Sequence, residues 1–276
     1  MSQINVDDVL PFSGTEVNVN GANVKGGPIR SVKIGDNLQT VASADSMLIG
    51  SNIFNGTVTG SGFLPQVVAI GSLIGQNPWF SVATSVFIGT ESGKVLNDCS
   101  GSVMVGYQSG ILATTSLFNT FVGSNSGSNL TAGTNNTAIG YNAIPATATS
   151  SNSVTLGNSS VTALRCAVTS ITSLSDARDK KAVSPIELGL EFVKELNPVK
   201  FVWNDRDENG KHDVADSGFI AQELKEVEHK YDAADVLKLV YDENPEKLEA
   251  SYGRLIPVLV QAIKDLAVKV EQLENK

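Results

Sequence analysis

Ser175 and Lys180 stand five positions apart in the run Ser-Asp-Ala-Arg-Asp-Lys-Lys, directly after the apolar Leu174. A serine hydroxyl and a lysine amine suffice for nucleophilic chemistry at a carbonyl, provided the ammonium first loses its proton. That takes a desolvated or cation-rich setting, because burial and like charge both disfavour the charged form. The same residues also read as a polar helix or strand start, with Asp176 and Arg178 a solvated ion pair.

The elements that must position the pair divide the chain at this point. The 174 residues before Ser175 hold 5 basic and 7 acidic side chains, whereas the 102 from Ser175 onward hold 15 and 22, which marks a domain boundary. Downstream, Ile186 to Leu196 carries Leu188, Phe192 and Leu196 at spacings of four and predicts a helix stopped by Asn197-Pro198. Lys200 to Trp203 predicts a strand with Phe201 and Trp203 in the core. Ile256, Ile263 and Val270 alternate with Leu259, Leu266 and Leu273, a heptad seam that predicts a coiled coil over about 252–275, with Pro257 in its first turn. By itself this a/d composition leans toward two strands.

The order of motifs in this half is itself informative. Ser175-Asp176-x-Arg178-x-Lys180, Gly189-Leu190, Leu196-Asn197-Pro198-Val199-x-Phe201-x-Trp203, Gly218-Phe219-Ile220-Ala221-Gln222-Glu223 and Ala262-Ile263-Lys264-Asp265-Leu266 follow one another along residues 175 to 276. The sequence resembles the self-cleaving intramolecular chaperone domain of phage tailspikes and tail fibres, the endosialidase type. The resemblance implies a cut between Leu174 and Ser175, Ser175 and Lys180 as catalytic dyad, Asp176 and Arg178 as motif support, and a homotrimer. It implies a serine autopeptidase that acts once, on itself, with no cofactor and no metal. The sequence shows no oxyanion donors.

Upstream, a repeat can be measured. Gly89, Gly106, Gly123, Gly140 and Gly157 close Val-Phe-Ile-Gly, Val-Met-Val-Gly, Thr-Phe-Val-Gly, Thr-Ala-Ile-Gly and Val-Thr-Leu-Gly at intervals of 17 residues, the mark of a solenoid. Residues three and one before each glycine are β-branched or aliphatic and share one face of a short strand. The residue four before it (Ser85, Ser102, Asn119, Asn136, Ser153) opens the strand. Met47-Leu48-Ile49-Gly50 and Val68-Ala69-Ile70-Gly71 extend the stack at other spacings. Coils this short bury little on their own, so three chains packed on their apolar faces are expected to complete the core. The coils resemble the head repeats of trimeric autotransporter adhesins, and a monomeric β-helix is the alternative.

The expected fold is therefore mainly β, a trimeric β-solenoid fibre, followed by an α+β chaperone domain ending in a coiled coil. Residues 1–45 are an N-terminal attachment segment of short strands and turns, 46–174 the fibre, and 175–276 the self-cleaving domain. With Glu91 and Asp98 as its only acidic residues and no histidine, the fibre lacks the paired carboxylates of a glycosidase. Trp79, Phe80 and Tyr107 remain to contact a host glycan or protein. A net charge of −9 argues against nucleic acid, and no apolar run is long enough to insert in a membrane. Cys99 and Cys166 read as buried thiols. Asp205, Asp207, Asn209, Gly210, Asp213 and Asp216 have the spacing of a calcium loop, but Asn209-Gly210 is also a standard hairpin turn, and no metal is assigned.

These readings converge on a virion tail fibre or appendage, assembled in the host cytoplasm with other tail proteins and involved in host attachment. The alternatives are a bacterial surface trimeric adhesin, expected to carry a secretion signal and a membrane barrel, and a tailspike that degrades polysaccharide. The same self-cleaving domain occurs in a membrane-bound eukaryotic transcription factor, whose basic DNA-binding part has no counterpart in this sequence.

Overall fold

A computed structural model describes residues 31–34, 46–54, 66–77, 82–167, 171–204 and 213–276, with the backbone alone at 31–34 and Ser46. Eight strands form one parallel sheet in chain order: β1 (Ser31–Ile34), β2 (Ser46–Ser51), β3 (Val68–Ser72), β4 (Val86–Ile88), β5 (Val103–Val105), β6 (Thr120–Val122), β7 (Thr137–Ile139) and β8 (Val154–Leu156). This is a β-solenoid. Val86, Val103, Thr120, Thr137 and Val154 lie in register, so the 17-residue interval is one full coil. The irregular copies pair in the same sheet, Met47 with Val68 and Val68 with Val86. β1 falls inside the segment 1–45.

The strands bury the residue between the two repeat positions. Ala69, Phe87, Met104, Phe121 and Ala138 point into the coil and are fully buried, with Leu96, Ala113 and Leu130 closing the core from the opposite wall. Alternation on a strand then sends the flanking residues outward. Val86, Ile88, Val103 and Val105 are half-buried, while Val122, Ile139, Val154 and Leu156 are exposed. Each strand is thus apolar on both sides, and the face found from the repeat is the outer one.

The strand-opening residues form a buried polar ladder. Ser85 Oγ accepts from the Ser102 N–H (3.1 Å), Ser102 Oγ from Asn119 N–H (3.2 Å), Asn119 Oδ1 from Asn136 N–H (2.9 Å) and Asn136 Oδ1 from Ser153 N–H (3.2 Å). A buried N–H without a partner is costly, so a small acceptor is needed at this place in every coil. The glycines have a steric cause. Gly106 has φ +138°, and a Cβ there would lie 2.4 Å from the Gly123 carbonyl oxygen of the next coil.

A small α+β region follows. It comprises α1 (Leu190–Glu195), the antiparallel pair β9 (Val199–Val202) and β10 (Ala215–Gly218), α2 (Ala221–Lys230), α3 (Ala234–Leu237), the pair β11 (Val240–Tyr241) and β12 (Glu249–Ala250), and the C-terminal helix α4 (Ile256–Glu274). Its core is Phe192, Leu224, Ala233, Leu237, Leu239, Leu255 and Val258. The helix expected from Ile186 starts only at Leu190, after Gly189 in a non-helical conformation. Ile186 and Leu188 pack on the core as an irregular segment instead. Phe201 and Trp203 are half-buried and pack edge-to-face on each other, 5.2 Å between centroids, because β9 lies at the edge of the domain rather than through its core.

α4 has two apolar faces. Val258 and Ala262 are buried against the domain, and Pro257 lies in the first turn. The other face, Ile256, Leu259, Ile263, Leu266, Val270 and Leu273, is 41–68% exposed along its length. Tyr252–Leu255 form a turn of 3-10 helix, so the α-helix begins four residues after the start of the predicted span. Among the described residues, no helix is long and apolar enough to cross a membrane.

Candidate functional site

One turn of 3-10 helix, Ala177–Asp179, sets the geometry at the boundary. Asp176 starts it: its Oδ1 accepts from the Arg178 N–H (2.8 Å), and its two oxygens accept from Arg178 Nε and Nη2 (2.6 Å for the latter). The Arg178 guanidinium holds the Asp176 carboxyl below the usual carboxylate range, and the Arg178 N–H adds to the effect. Lys180 N–H closes the turn on the Ala177 carbonyl (3.2 Å), and Lys180 then leaves in an extended conformation. This turn carries residue 180 back over residue 175. Lys180 Nζ donates to Ser175 Oγ at 2.7 Å and to the Ser175 carbonyl at 3.1 Å.

The five sequence-predicted residues are therefore contiguous, with Asp176 and Arg178 shaping the turn and Ser175 and Lys180 meeting across it. All lie in water. Leu174 is 95% exposed, and Ser175 to Lys180 are all exposed. Taking the serine proton needs a free amine, which burial or neighbouring like charge favours over the ammonium. Within a single chain the pair has the right contact and the wrong environment.

The remaining candidates separate cleanly. Residues 205–212, with most of the calcium-loop positions and His212, lie outside the described residues, as do Trp79 and Phe80. Asp216 accepts from Trp203 Nε1 at 3.2 Å. No group of three or more His, Cys, Asp or Glu side chains placed to hold a metal occurs among the described residues. Cys99 is buried, and burial pushes its thiol up to about 12. Cys166 is exposed, contrary to expectation, because the chain after β8 has left the coil.

Two carboxylates to which the sequence reading gave no role hold the domain together, Asp265 having been quoted there only as part of a motif. Asp265 Oδ2 accepts from the Leu190 N–H at 2.9 Å and Oδ1 from Gln261 Nε2 at 2.8 Å, which ties α4 to the start of α1. A Cβ at Gly189 would lie 2.0 Å from Asp265 Oδ2, so a larger residue there would displace that carboxylate. Glu228, only 2% exposed, accepts from the Leu239 N–H at 2.6 Å and joins α2 to the chain entering β11. No local spacing betrays the bonds to the Leu190 and Leu239 N–H groups, because those partners are not sequence neighbours on the same helix.

Residues 175–235 match the sequence profile of a family described as the chaperone of endosialidase. The match opens on Ser175 and ends within α3, and it leaves the solenoid and α4 outside. No curated protein and no solved structure matches the chain.

Proposed function

We propose that the chain is a fibre subunit of a phage tail, whose C-terminal domain gathers three copies, promotes stacking of the coils and then cuts itself off between Leu174 and Ser175. The observation that carries the reading is the 2.7 Å contact of Lys180 Nζ with Ser175 Oγ, at the residue where the family match begins. On this reading residues 1–45 attach to other tail proteins, 46–174 form the fibre and 175–276 are the processing domain. The outer rows of the strands and the exposed seam of α4 are the apolar surfaces that three copies would cover. A host-surface glycan or protein is the target of the fibre.

The chemistry is an acyl shift followed by hydrolysis. Ser175 Oγ attacks the carbonyl carbon of Leu174, its hydroxyl proton passes to neutral Lys180, and the C–N bond breaks as that proton moves to the departing Ser175 nitrogen. Water then hydrolyses the ester and leaves the Leu174 carboxylate and the Ser175 hydroxyl. Nucleophile and carbonyl belong to adjacent residues, so no encounter has to be arranged. What one chain lacks is a dry setting for Lys180, and assembly supplies it.

Glu91 is not set up as the acid of a glycosidase. Gln108 and Lys94 both hydrogen-bond its carboxylate and hold it below the usual range, with Lys94 Nζ at 2.6 Å. A general acid in a glycosidase needs the opposite shift. Electrophoresis of freshly expressed full chain tests the proposal. Fragments of 174 and 102 residues are expected, and Ser175→Ala or Lys180→Ala should leave one intact band. Unchanged splitting in either variant removes the dyad.

A further inference from the structure

Two stretches nearly a hundred residues apart meet at the last coil. The corner Ala146 to Ser150 lies between β7 and β8, and Ser150 is 1% exposed. Ser150 Oγ accepts from the Thr147 N–H (2.9 Å) and donates to Glu243 Oε1 (2.7 Å). Thr147 Oγ1 donates to the same carboxylate oxygen at 3.3 Å, and Asn244 Nδ2 donates to the Ala146 carbonyl at 3.1 Å. Glu243 and Asn244 sit in the loop between β11 and β12. That loop is braced by the Lys225–Asp242 ion pair (2.7 Å) and by the Lys247 N–H on the Asn244 carbonyl (3.0 Å).

The corner is tied to the neighbouring coil. The Ser150 carbonyl accepts from Asn136 Nδ2 (2.7 Å), a member of the interior ladder, and the Ala148 carbonyl accepts from the Thr131 N–H (2.8 Å). Thr147 Oγ1 and Ser150 Oγ lie 3.0 Å apart within the corner itself; stacking on the neighbouring coil fixes where that pair and the Ala146 carbonyl stand, and hydrogen bonds reach only about 3 Å. We infer that Glu243 and Asn244 read the closed corner of the last coil, so that the C-terminal domain seats, and self-cleavage follows, only after the coils have stacked. This regulation rests on the self-cleaving reading above. Seating anchors the stretch between β8 and the packed Ile186 at both ends, and that stretch contains the Leu174–Ser175 bond. Fixing the ends narrows the arrangements open to the bond and to the groups that must surround it.

The experiment uses the full chain and two readouts. In Ser175→Ala protein, which cannot cut itself, hydrogen exchange at the Thr147 and Ser150 amides should be at least tenfold faster when Glu243→Ala and Asn244→Ala are added. In protein with Ser175 intact, the same double substitution should slow processing at least tenfold in a pulse-chase, and Glu243→Gln, which keeps an acceptor oxygen, should restore most of the rate. Unchanged exchange overturns the seat. Faster exchange with unchanged processing overturns the coupling while the dyad stands. An unsubstituted chain that never splits overturns the self-cleaving reading and this inference with it.

Discussion

Leu266→Asp should separate assembly from chemistry. Leu266 occupies a seam position on α4 and is 51% exposed in the single chain, far from the Ser175–Lys180 contact in sequence. Covering the open half of a leucine side chain is worth about 1 kcal/mol, given roughly 1.5–3 kcal/mol for complete burial. The six seam residues, 41–68% exposed, then supply about 6 kcal/mol per chain toward association. An aspartate at residue 266 forfeits about 1 kcal/mol of this in each chain. It also brings three carboxylates to one axis, where leaving water costs several kcal/mol per ion even after relaxation. The loss is comparable with the whole gain of the seam, so the trimer should dissociate. The assay pairs sedimentation of the purified protein with the time course of the 174- and 102-residue fragments. The expected result is uncut monomer. Lys264→Asp, one position off the seam on the same helix, is the control that should assemble and split normally. Rapid splitting of Leu266→Asp in a sample shown to be monomeric refutes the argument that assembly dries Lys180.

Two further outcomes test the architecture. Gly106→Ala should destabilise the solenoid by about 1–3 kcal/mol from backbone strain at φ +138°, with more from the contact on the Gly123 carbonyl, read as a lowered unfolding midpoint. The Asp265 carboxyl is held below its ordinary value, first by the Leu190 N–H and then by Gln261. It therefore adds stability above the unfolded-state value near pH 4, which is lost as pH falls through the lower folded value. Asp265→Asn should be less stable than the unsubstituted protein at neutral pH and approach it in denaturation below about pH 4; a constant difference across that range would contradict the assignment.

The solenoid was legible in the sequence because a coil repeats its own sterics. A glycine whose Cβ would strike the next coil has to recur wherever that coil recurs, and the strand-opening acceptors recur for the same reason. The interior did not show itself so plainly. Phe87, Met104, Phe121 and Ala138 differ in type from coil to coil, whereas the flanking positions stay β-branched or aliphatic throughout, so the regular pattern marks the outer face. In the C-terminal domain the heptad of α4 and the Ser175–Lys180 spacing are local patterns and could be read directly. Asp265, Glu228, Glu243 and Asn244 could not, because each bonds a group that only the folded chain brings near. Phe201 and Trp203 alternate as core residues do, yet alternation says which side chains share a face and not whether anything covers it.

The unbroken register from Val86 to Val154 turns the solenoid into a ruler. Neighbouring strands in a sheet are about 4.8 Å apart, so each 17-residue block sets that much length and nothing else. Removing or duplicating one block leaves every hydroxyl, amide and glycine facing its counterpart in the neighbouring coil, whereas a change of any other size displaces the ladder. Reach can therefore change in discrete steps by in-frame gain or loss of a coil. The corner that Glu243 and Asn244 touch, and the bond beyond it, stay where they are.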